Sequence, residues 1–205
     1  GRIGAFGFSF HDSLTAFKEI VDDYDWALSQ IQYNYMNEDV QAGTEGLLYA
    51  AAKGLAVVVM EPLLGGGLAQ LPEPALHRLV ESGSHLTPAE LALRWLWDKP
   101  EVTLVLSGMT TMEQVQQNVA SAARSGVGLL TPRERELIGK LRQIYEEQHP
   151  ISCTNCRYCL PCPNGVDIPL NLRLYNDAKT HGQNVYVLNR NLYRMLPASS
   201  QAGSC

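Results

Sequence analysis

The segment Leu55–Met60 constrains the fold most strongly, because it is continuously apolar and contains three consecutive valines. A strand with one face in water alternates apolar and polar residues, whereas an uninterrupted apolar run is typical of a strand buried on both faces of a parallel sheet. Parallel neighbours must be joined by a crossover connection, which is usually a helix. We therefore predict an α/β fold in which strands and helices alternate.

The first 130 residues carry this alternation. The further predicted strands are Arg2–Ser9, Trp26–Tyr33 and Val102–Ser107. Four helices are predicted between and after these strands. The first begins at a cap on Asp12, and the second covers Thr44–Lys53. The third runs from the capping box at Thr87 to Trp97, and the fourth begins at Thr111, with Gln114 at the capping-box position. Four successive βα units predict a parallel sheet with right-handed crossovers. An open doubly wound sheet, a four-stranded sheet complete in itself and part of a (β/α)8 barrel all fit this pattern.

The composition changes after a last amphipathic helix, which begins at the capping box of Thr131 and is followed by Pro150. We predict two domains, residues 1–148 and residues 149–205, and call the second the tail. From Pro169 onward the tail is predicted to be helical. It also contains all five cysteines of the chain, which lie at or after position 153.

Four of these cysteines are separated by gaps of two residues: Cys153, Cys156, Cys159 and Cys162. Thiolates at this spacing can converge on one 4Fe-4S cluster, while amides of the same loop donate to the cluster sulfides. Structural zinc sites generally use two ligand pairs separated by a longer loop, and disulfides belong mainly to secreted proteins. The four cysteines are therefore the predicted metal ligands. Because the usual bacterial ferredoxin run has three residues before the last cysteine, Cys162 could instead belong to a second cluster. Such a cluster would need more cysteines than this chain has, and Cys205 could be the first of them.

The charge and the hydropathy exclude several function classes. The net charge is −5 and no basic stripe is visible, which argues against nucleic-acid binding. No apolar run is long enough to span a bilayer, and the N-terminus shows no basic and then apolar stretch of a secretory signal. We therefore expect no membrane association and a cytoplasmic location with reduced cysteines.

Nearly the whole chain resembles the C-terminal half of the aldo/keto reductase family, in the branch with a ferredoxin-type 4Fe-4S tail. The segments that carry the resemblance are Ile3–His11, Ser29–Asn34, Val57–Leu68, Thr87–Leu96, Leu106–Asn118 and the cysteine run. The resemblance implies a (β/α)8 barrel that binds a nicotinamide cofactor, of which the four strands would be the fifth to the eighth. It also implies hydride transfer to a small carbonyl substrate and a redox partner for the cluster.

The resemblance assigns three residues to the nicotinamide. Ser9 and Gln30 stand where the family contacts the carboxamide, and Met60 replaces the tyrosine that commonly stacks on the ring. A thioether can contact a ring face favourably, so this replacement is compatible with binding. Gln30 could instead satisfy a hydrogen bond at the barrel end. His11 follows the first strand, where we expect it to line the site or cap the helix.

Leu63 and Gly65 lie in the loop that runs past the cofactor pyrophosphate in the family, although residues 65–67 could also form a flexible turn. In the same loop Glu61 replaces a small hydroxyl residue, and a carboxylate is unfavourable beside phosphates.

Further along the chain, Gly108 and Gln114 occupy positions where members that use NADPH often carry basic residues. Neither has a charge to offer the extra phosphate, so NADH is slightly favoured. Gln117 and Asn118 match the positions that contact the adenine.

The aspartate, tyrosine, lysine and histidine of the family's acid/base group belong to the first half of the barrel, so no catalytic residue is predicted here. We expect the chain to be a fragment cut at both ends. Alone, it would expose an apolar inner face and be poorly soluble and inactive. The parent protein would be an NAD(P)-dependent oxidoreductase. The alternative is an iron–sulfur electron-transfer or binding module on a barrel that serves as a non-catalytic scaffold.

Overall fold

A computed structural model describes residues 2–148, 150–151, 153, 157–180 and 182–205. Four parallel strands form one sheet in chain order: β1 (Gly7–Phe10), β2 (Leu28–Gln32), β3 (Ala56–Met60) and β4 (Val102–Val105). The sheet lacks the reversal of strand order that a doubly wound sheet contains. Right-handed crossovers between strands in this order place their helices on one face, as in the wall of a barrel.

Eight helices lie in the described ranges: α1 (Leu14–Asp23), α2 (Gly43–Ala52), α3 (Glu73–Glu81), α4 (Pro88–Trp97), α5 (Met112–Ala123), α6 (Pro132–Gln148), α7 (Ile168–Thr180) and α8 (Gly182–Met195). Helix α6 packs on α3 and α4, and in the tail α7 packs on α8. The helical prediction for the tail is confirmed. Within the described ranges, no helix has both the length and the apolar character needed to cross a bilayer.

The sheet has one covered and one open face. On the covered face Phe10, Ile31 and Val59 stand side by side in register, and all three are buried. Phe17 of α1 is fully buried against Phe10, with the ring centroids 5.0 Å apart. On the open face the side chain of Leu104 is 47% exposed. Leu104 thus exposes apolar surface on this face, which also carries the polar side chains of Ser9 and Gln30.

The structure differs from the predicted secondary structure at three places. Strand β1 begins at Gly7 rather than Arg2, because its partner β2 begins at Leu28, which pairs with Gly7. Helix α1 is capped by Ser13 rather than Asp12, since the Ser13 hydroxyl accepts a hydrogen bond from the amide of residue 16. Helix α3 was not predicted. Its Leu76 and Val80 are exposed, so its apolar residues do not mark one buried face.

Candidate functional site

Three predicted cofactor residues meet on the open face, at the carboxyl ends of adjacent strands. Ser9 stands opposite Gln30 in the β1–β2 register, and Met60 is the last residue of β3. The Gln30 Nε2 donates to Ser9 Oγ at 3.1 Å and to Met60 Sδ at 3.5 Å. Gln30 and Met60 are half-buried, whereas Ser9 is exposed. The sheet therefore presents a connected polar group at the edge where barrels carry their binding sites.

The segment 61–67, here called the glycine loop, follows β3 and turns sharply. Glu61 and Leu64 adopt left-handed φ values of 55° and 51°, which side-chain-bearing residues rarely do. Leu63 is half-buried, and its carbonyl accepts hydrogen bonds from the amides of residues 66 and 68, at 2.9 and 3.0 Å. The loop is thus a closed, hydrogen-bonded turn rather than an extended strand continuation.

Sequence reasoning missed Asn34, which holds the start of the glycine loop in place. Asn34 is fully buried, and its Nδ2 donates to the Glu61 carbonyl at 2.9 Å. Its Oδ1 accepts from the amides of Met36 and Asn37, both at 3.0 Å. The signal that could have found it is an asparagine placed directly after a strand, where its side chain commonly forms an Asx turn.

The carboxylate of Glu61 lies on the backbone of its own loop. Its Oε2 accepts a hydrogen bond from the Gly65 amide at 2.6 Å, and Gly65 adopts a φ of 62°. The predicted pyrophosphate loop therefore already has an anion on one of its amides.

Tyr145 of α6 closes the far side of the loop. A Cβ added at Gly67 would lie 2.7 Å from the Tyr145 hydroxyl, so a larger residue at this position would require Tyr145 to shift. Burial raises the pKa of Tyr145, which keeps its hydroxyl neutral.

The predicted cofactor residues after β4 do not form a connected group like that of Ser9, Gln30 and Met60. Gly108 is exposed and a Cβ there would meet no atom within 4 Å. The Gln114 Oε1 accepts from the Thr110 amide at 2.8 Å and takes part in the capping box of α5, as its position in the sequence predicted. The Asn118 Nδ2 donates to Ser107 Oγ at 3.1 Å. The Gln117 amide pairs with Glu113 on the exposed helix surface instead.

The described cysteines are free thiols. Cys153 and Cys159 are exposed and Cys162 is half-buried, while Cys156 lies outside the described residues. In the part of the chain that the structure describes, no three histidine, cysteine, aspartate or glutamate side chains form a group that could hold a metal ion. The donor chemistry of Cys153, Cys156, Cys159 and Cys162 fits an iron–sulfur cluster, but the three of them that the structure describes are not brought together as its ligands.

Tyr158, a described residue of the cysteine-containing segment, lies beside the end of β1. The ring of Tyr158 lies 4.8 Å from that of His11, measured between centroids, and His11 directly follows β1. A cavity of about 390 Å³ is lined by Gly65 and Gly67 on one side and by Cys153 and Arg157 on the other. His11 therefore contacts the tail and does not cap α1.

These features define an α/β fold whose four parallel strands are arranged as in the wall of a (β/α)8-type barrel, with a candidate binding site at their carboxyl ends. The sequence pattern described as "Aldo/keto reductase family" matches residues 1–126, and the chain belongs to this family of oxidoreductases.

Two solved structures are similar to it, the holo and apo forms of an aldo-keto reductase from Bacillus halodurans. The holo form is 25% identical with a TM-score of 0.54, covering 67% of this chain and 49% of that one. The apo form is 25% identical with a TM-score of 0.51, covering 65% of this chain and 49% of that one. This chain thus spans about half the length of these structures. No curated protein matches it.

Proposed function

We propose that the protein is an NAD(P)-dependent oxidoreductase that transfers hydride between a nicotinamide cofactor and a small carbonyl or alcohol substrate. The observation that carries the proposal is the hydrogen-bonded group of Ser9, Gln30 and Met60 at the carboxyl ends of β1, β2 and β3. Membership of the aldo/keto reductase family supplies the oxidoreductase class.

The donors and acceptors of this group complement a nicotinamide. A carboxamide offers one carbonyl oxygen and one amino group. Because Ser9 Oγ accepts its bond from Gln30, the hydroxyl proton of Ser9 is directed to another acceptor, and the Gln30 Oε1 can receive an N–H. The Met60 thioether offers a polarizable surface to the ring. The cofactor supplies the hydride chemistry, while these residues supply binding and orientation. No catalytic residue is assigned to this chain.

The dinucleotide would extend from this group across Leu63 and Gly65 towards Gly108, Gln114 and Asn118. None of these side chains is a cation, so the extra phosphate of NADPH has no charge-assisted partner among them. The Gln114 carbonyl oxygen is already engaged in the capping box. NADH is therefore the slightly favoured cofactor.

We further propose that residues 149–205 form a 4Fe-4S ferredoxin-type domain with Cys153, Cys156, Cys159 and Cys162 as ligands. The support is the spacing of the four thiols in the sequence. Hydride transfer moves two electrons and a cluster moves one. The cluster would therefore either stabilise the tail or need a two-electron relay to a redox partner. Analysis of iron and sulfide in anaerobically purified protein tests its presence, and zinc alone would refute it.

A second candidate function is an iron–sulfur electron-transfer or binding module on a non-catalytic barrel. The observation that favours it is the Glu61 carboxylate on the Gly65 amide, because an anion at this position opposes a phosphate.

Calorimetric titration of the intact protein with NADH and NADPH separates the two functions. We expect binding of both, slightly tighter for NADH, and a loss of about tenfold in Gln30→Ala, since one hydrogen-bond group is removed. Gln143→Ala is the matched control, because Gln143 lies exposed on α6 and pairs only with Glu147 among the described residues. Absence of nicotinamide binding in protein that contains iron and sulfide would support the module instead.

A further inference from the structure

The contact between Glu61 and Gly65 is a hydrogen bond that the Gly65 amide donates to the carboxylate of a residue four positions earlier in the chain. Its length of 2.6 Å places it among the short, charge-assisted hydrogen bonds. In an exposed loop, the same amide would otherwise bind water or a ligand. The glycine loop therefore carries its own anion at a point where an external anion would bind.

The backbone shows that this placement is built into the loop. Glu61 adopts a φ of 55°, a conformation that costs a side-chain-bearing residue free energy unless its surroundings hold it there. The buried Asn34 provides this hold through its bond to the Glu61 carbonyl. With the carbonyl fixed, the side chain of Glu61 turns back over the loop, and its carboxylate meets the Gly65 amide.

We propose that Glu61 is an internal competitor for the phosphate groups of a dinucleotide and that it sets the affinity of the glycine loop for them. The inference rests on the proposed function, because it assigns the loop to the cofactor pyrophosphate. A phosphate that approaches Gly65 either displaces the carboxylate and breaks the hydrogen bond, or binds beside it against like charge. Both routes weaken binding, so Glu61 lowers the affinity of the glycine loop for the cofactor's phosphates without abolishing it.

Isothermal titration of the intact protein with two probes, NADH and inorganic pyrophosphate, tests the proposal. Glu61→Gln keeps a side-chain oxygen that can accept from Gly65 and removes the charge. We expect both probes to bind about fivefold more tightly to it, the effect of removing one like charge at contact distance in water. Glu61→Ser, which removes the contact, should give a gain in the same direction.

Glu19→Gln is the matched control. Glu19 is exposed on α1, makes no ion pair with any described residue, and its replacement changes the net charge equally. It should leave both affinities unchanged. Circular dichroism and thermal melting should show that both Glu61 variants fold as the wild type does, and a gain in binding cannot arise from misfolding.

The outcomes separate this inference from the proposed function. Tighter pyrophosphate binding in the Glu61 variants without detectable NADH binding would support the inference and refute the nicotinamide function. Equal or weaker affinity for both probes in Glu61→Gln would overturn the role of Glu61 while leaving the function intact. If no variant binds either probe, both proposals fail.

Discussion

The region of residues 2–148, here called the half-barrel, and the tail differ in how many of their apolar side chains are buried. In the half-barrel, large apolar side chains such as Phe17, Ile31 and Leu141 are completely buried between sheet and helices. Among the described residues of the tail, Val166 and Leu174 are buried, while Val187, Leu188 and Met195 are more than half exposed. A small domain with so little core generally requires a metal, a disulfide or a partner surface. The comparison shows extensive apolar burial in the half-barrel and little in the described part of the tail, where the proposed cluster would supply additional stabilisation.

The candidate site lies where the two regions meet. The half-barrel contributes the polar group on β1, β2 and β3, and the tail contributes the loop that carries Cys153 and Tyr158. A change in either region should therefore disturb that region's stability first and the site second. Substitutions in each region can therefore show whether the two regions are ordered independently.

Replacement of a proposed cluster ligand, Cys159→Ser, should remove the order of the tail while leaving the half-barrel folded. The reason is that metal binding contributes directly to folding in domains that lack a sufficient core. Hydrogen exchange followed by mass spectrometry should show loss of amide protection across α7 and α8, with protection in β2 and β3 unchanged. Cys205→Ser is the control and should retain protection. An equal loss in Cys205→Ser would show that the order of the tail does not depend specifically on the proposed ligands.

Truncation of the half-barrel core, Phe17→Ala, should lower the free energy of unfolding of this region by about 3–5 kcal/mol. Phe17 is fully buried and its ring lies 5.8 Å from that of Phe8 and 5.0 Å from that of Phe10, so its removal leaves a cavity. Urea denaturation monitored by tryptophan fluorescence gives the change. Ile20→Ala, on the same helix but 36% exposed, should cost less than about 1 kcal/mol. A similar loss in both variants would show that burial does not dominate.

Much of the fold could be predicted because its determinants are local. The apolar run at Leu55–Met60 identified a parallel sheet, and capping residues such as Thr87 and Thr111 located the starts of α4 and α5. Helix α3 was not predicted because its exposed apolar residues make the buried face hard to recognise from the sequence pattern. The choice between a doubly wound sheet and a barrel wall required the strand order, which depends on contacts distant in sequence.

The site was predictable to a smaller extent. Strand ends placed Ser9, Gln30 and Met60 together, since parallel strands end at one edge. The bond from Glu61 to Gly65 and the hold of Asn34 could not be predicted, because they require left-handed residues in a loop whose path periodicity does not describe. The cysteine spacing indicates iron–sulfur ligation but does not determine where the thiols lie in the fold.

Two buried asparagines, one in each region, should have effects of intermediate size when they are replaced. Asn34→Ala should destabilise the half-barrel by about 2 kcal/mol, because one carbonyl and two amides lose their buried partner. Asn176→Ala is the counterpart in the tail, where the side chain binds both the amide and the carbonyl of Ile151. Its effect should appear in the exchange of the tail alone. Loss of protection in β2 and β3 of Asn176→Ala would contradict independent ordering of the two regions.

The smallest predicted effect is a dependence of half-barrel stability on acid, through Asp98 at the end of α4. Its carboxylate accepts hydrogen bonds from the Leu130 amide at 2.8 Å and from Arg135 at 2.9 Å. Burial alone would raise the pKa of Asp98, but these two partners lower it below its ordinary value of 3.8. The stabilisation is therefore fully present above that ordinary value and is lost as the pH falls through the lower pKa of the folded state.

Urea titrations at successively lower pH, from neutral into the acid range, should show this loss as a falling free energy of unfolding. Asp98→Asn keeps an oxygen for the Leu130 amide and removes the titrating group, so its stability should fall less steeply over the same range. Arg135→Ala removes one lowering partner, so its loss should begin at a higher pH than in the wild type. Identical pH profiles for all three proteins would show that Asp98 does not link α4 to α6 electrostatically. The acid sensitivity of the half-barrel would then have to arise from another carboxylate.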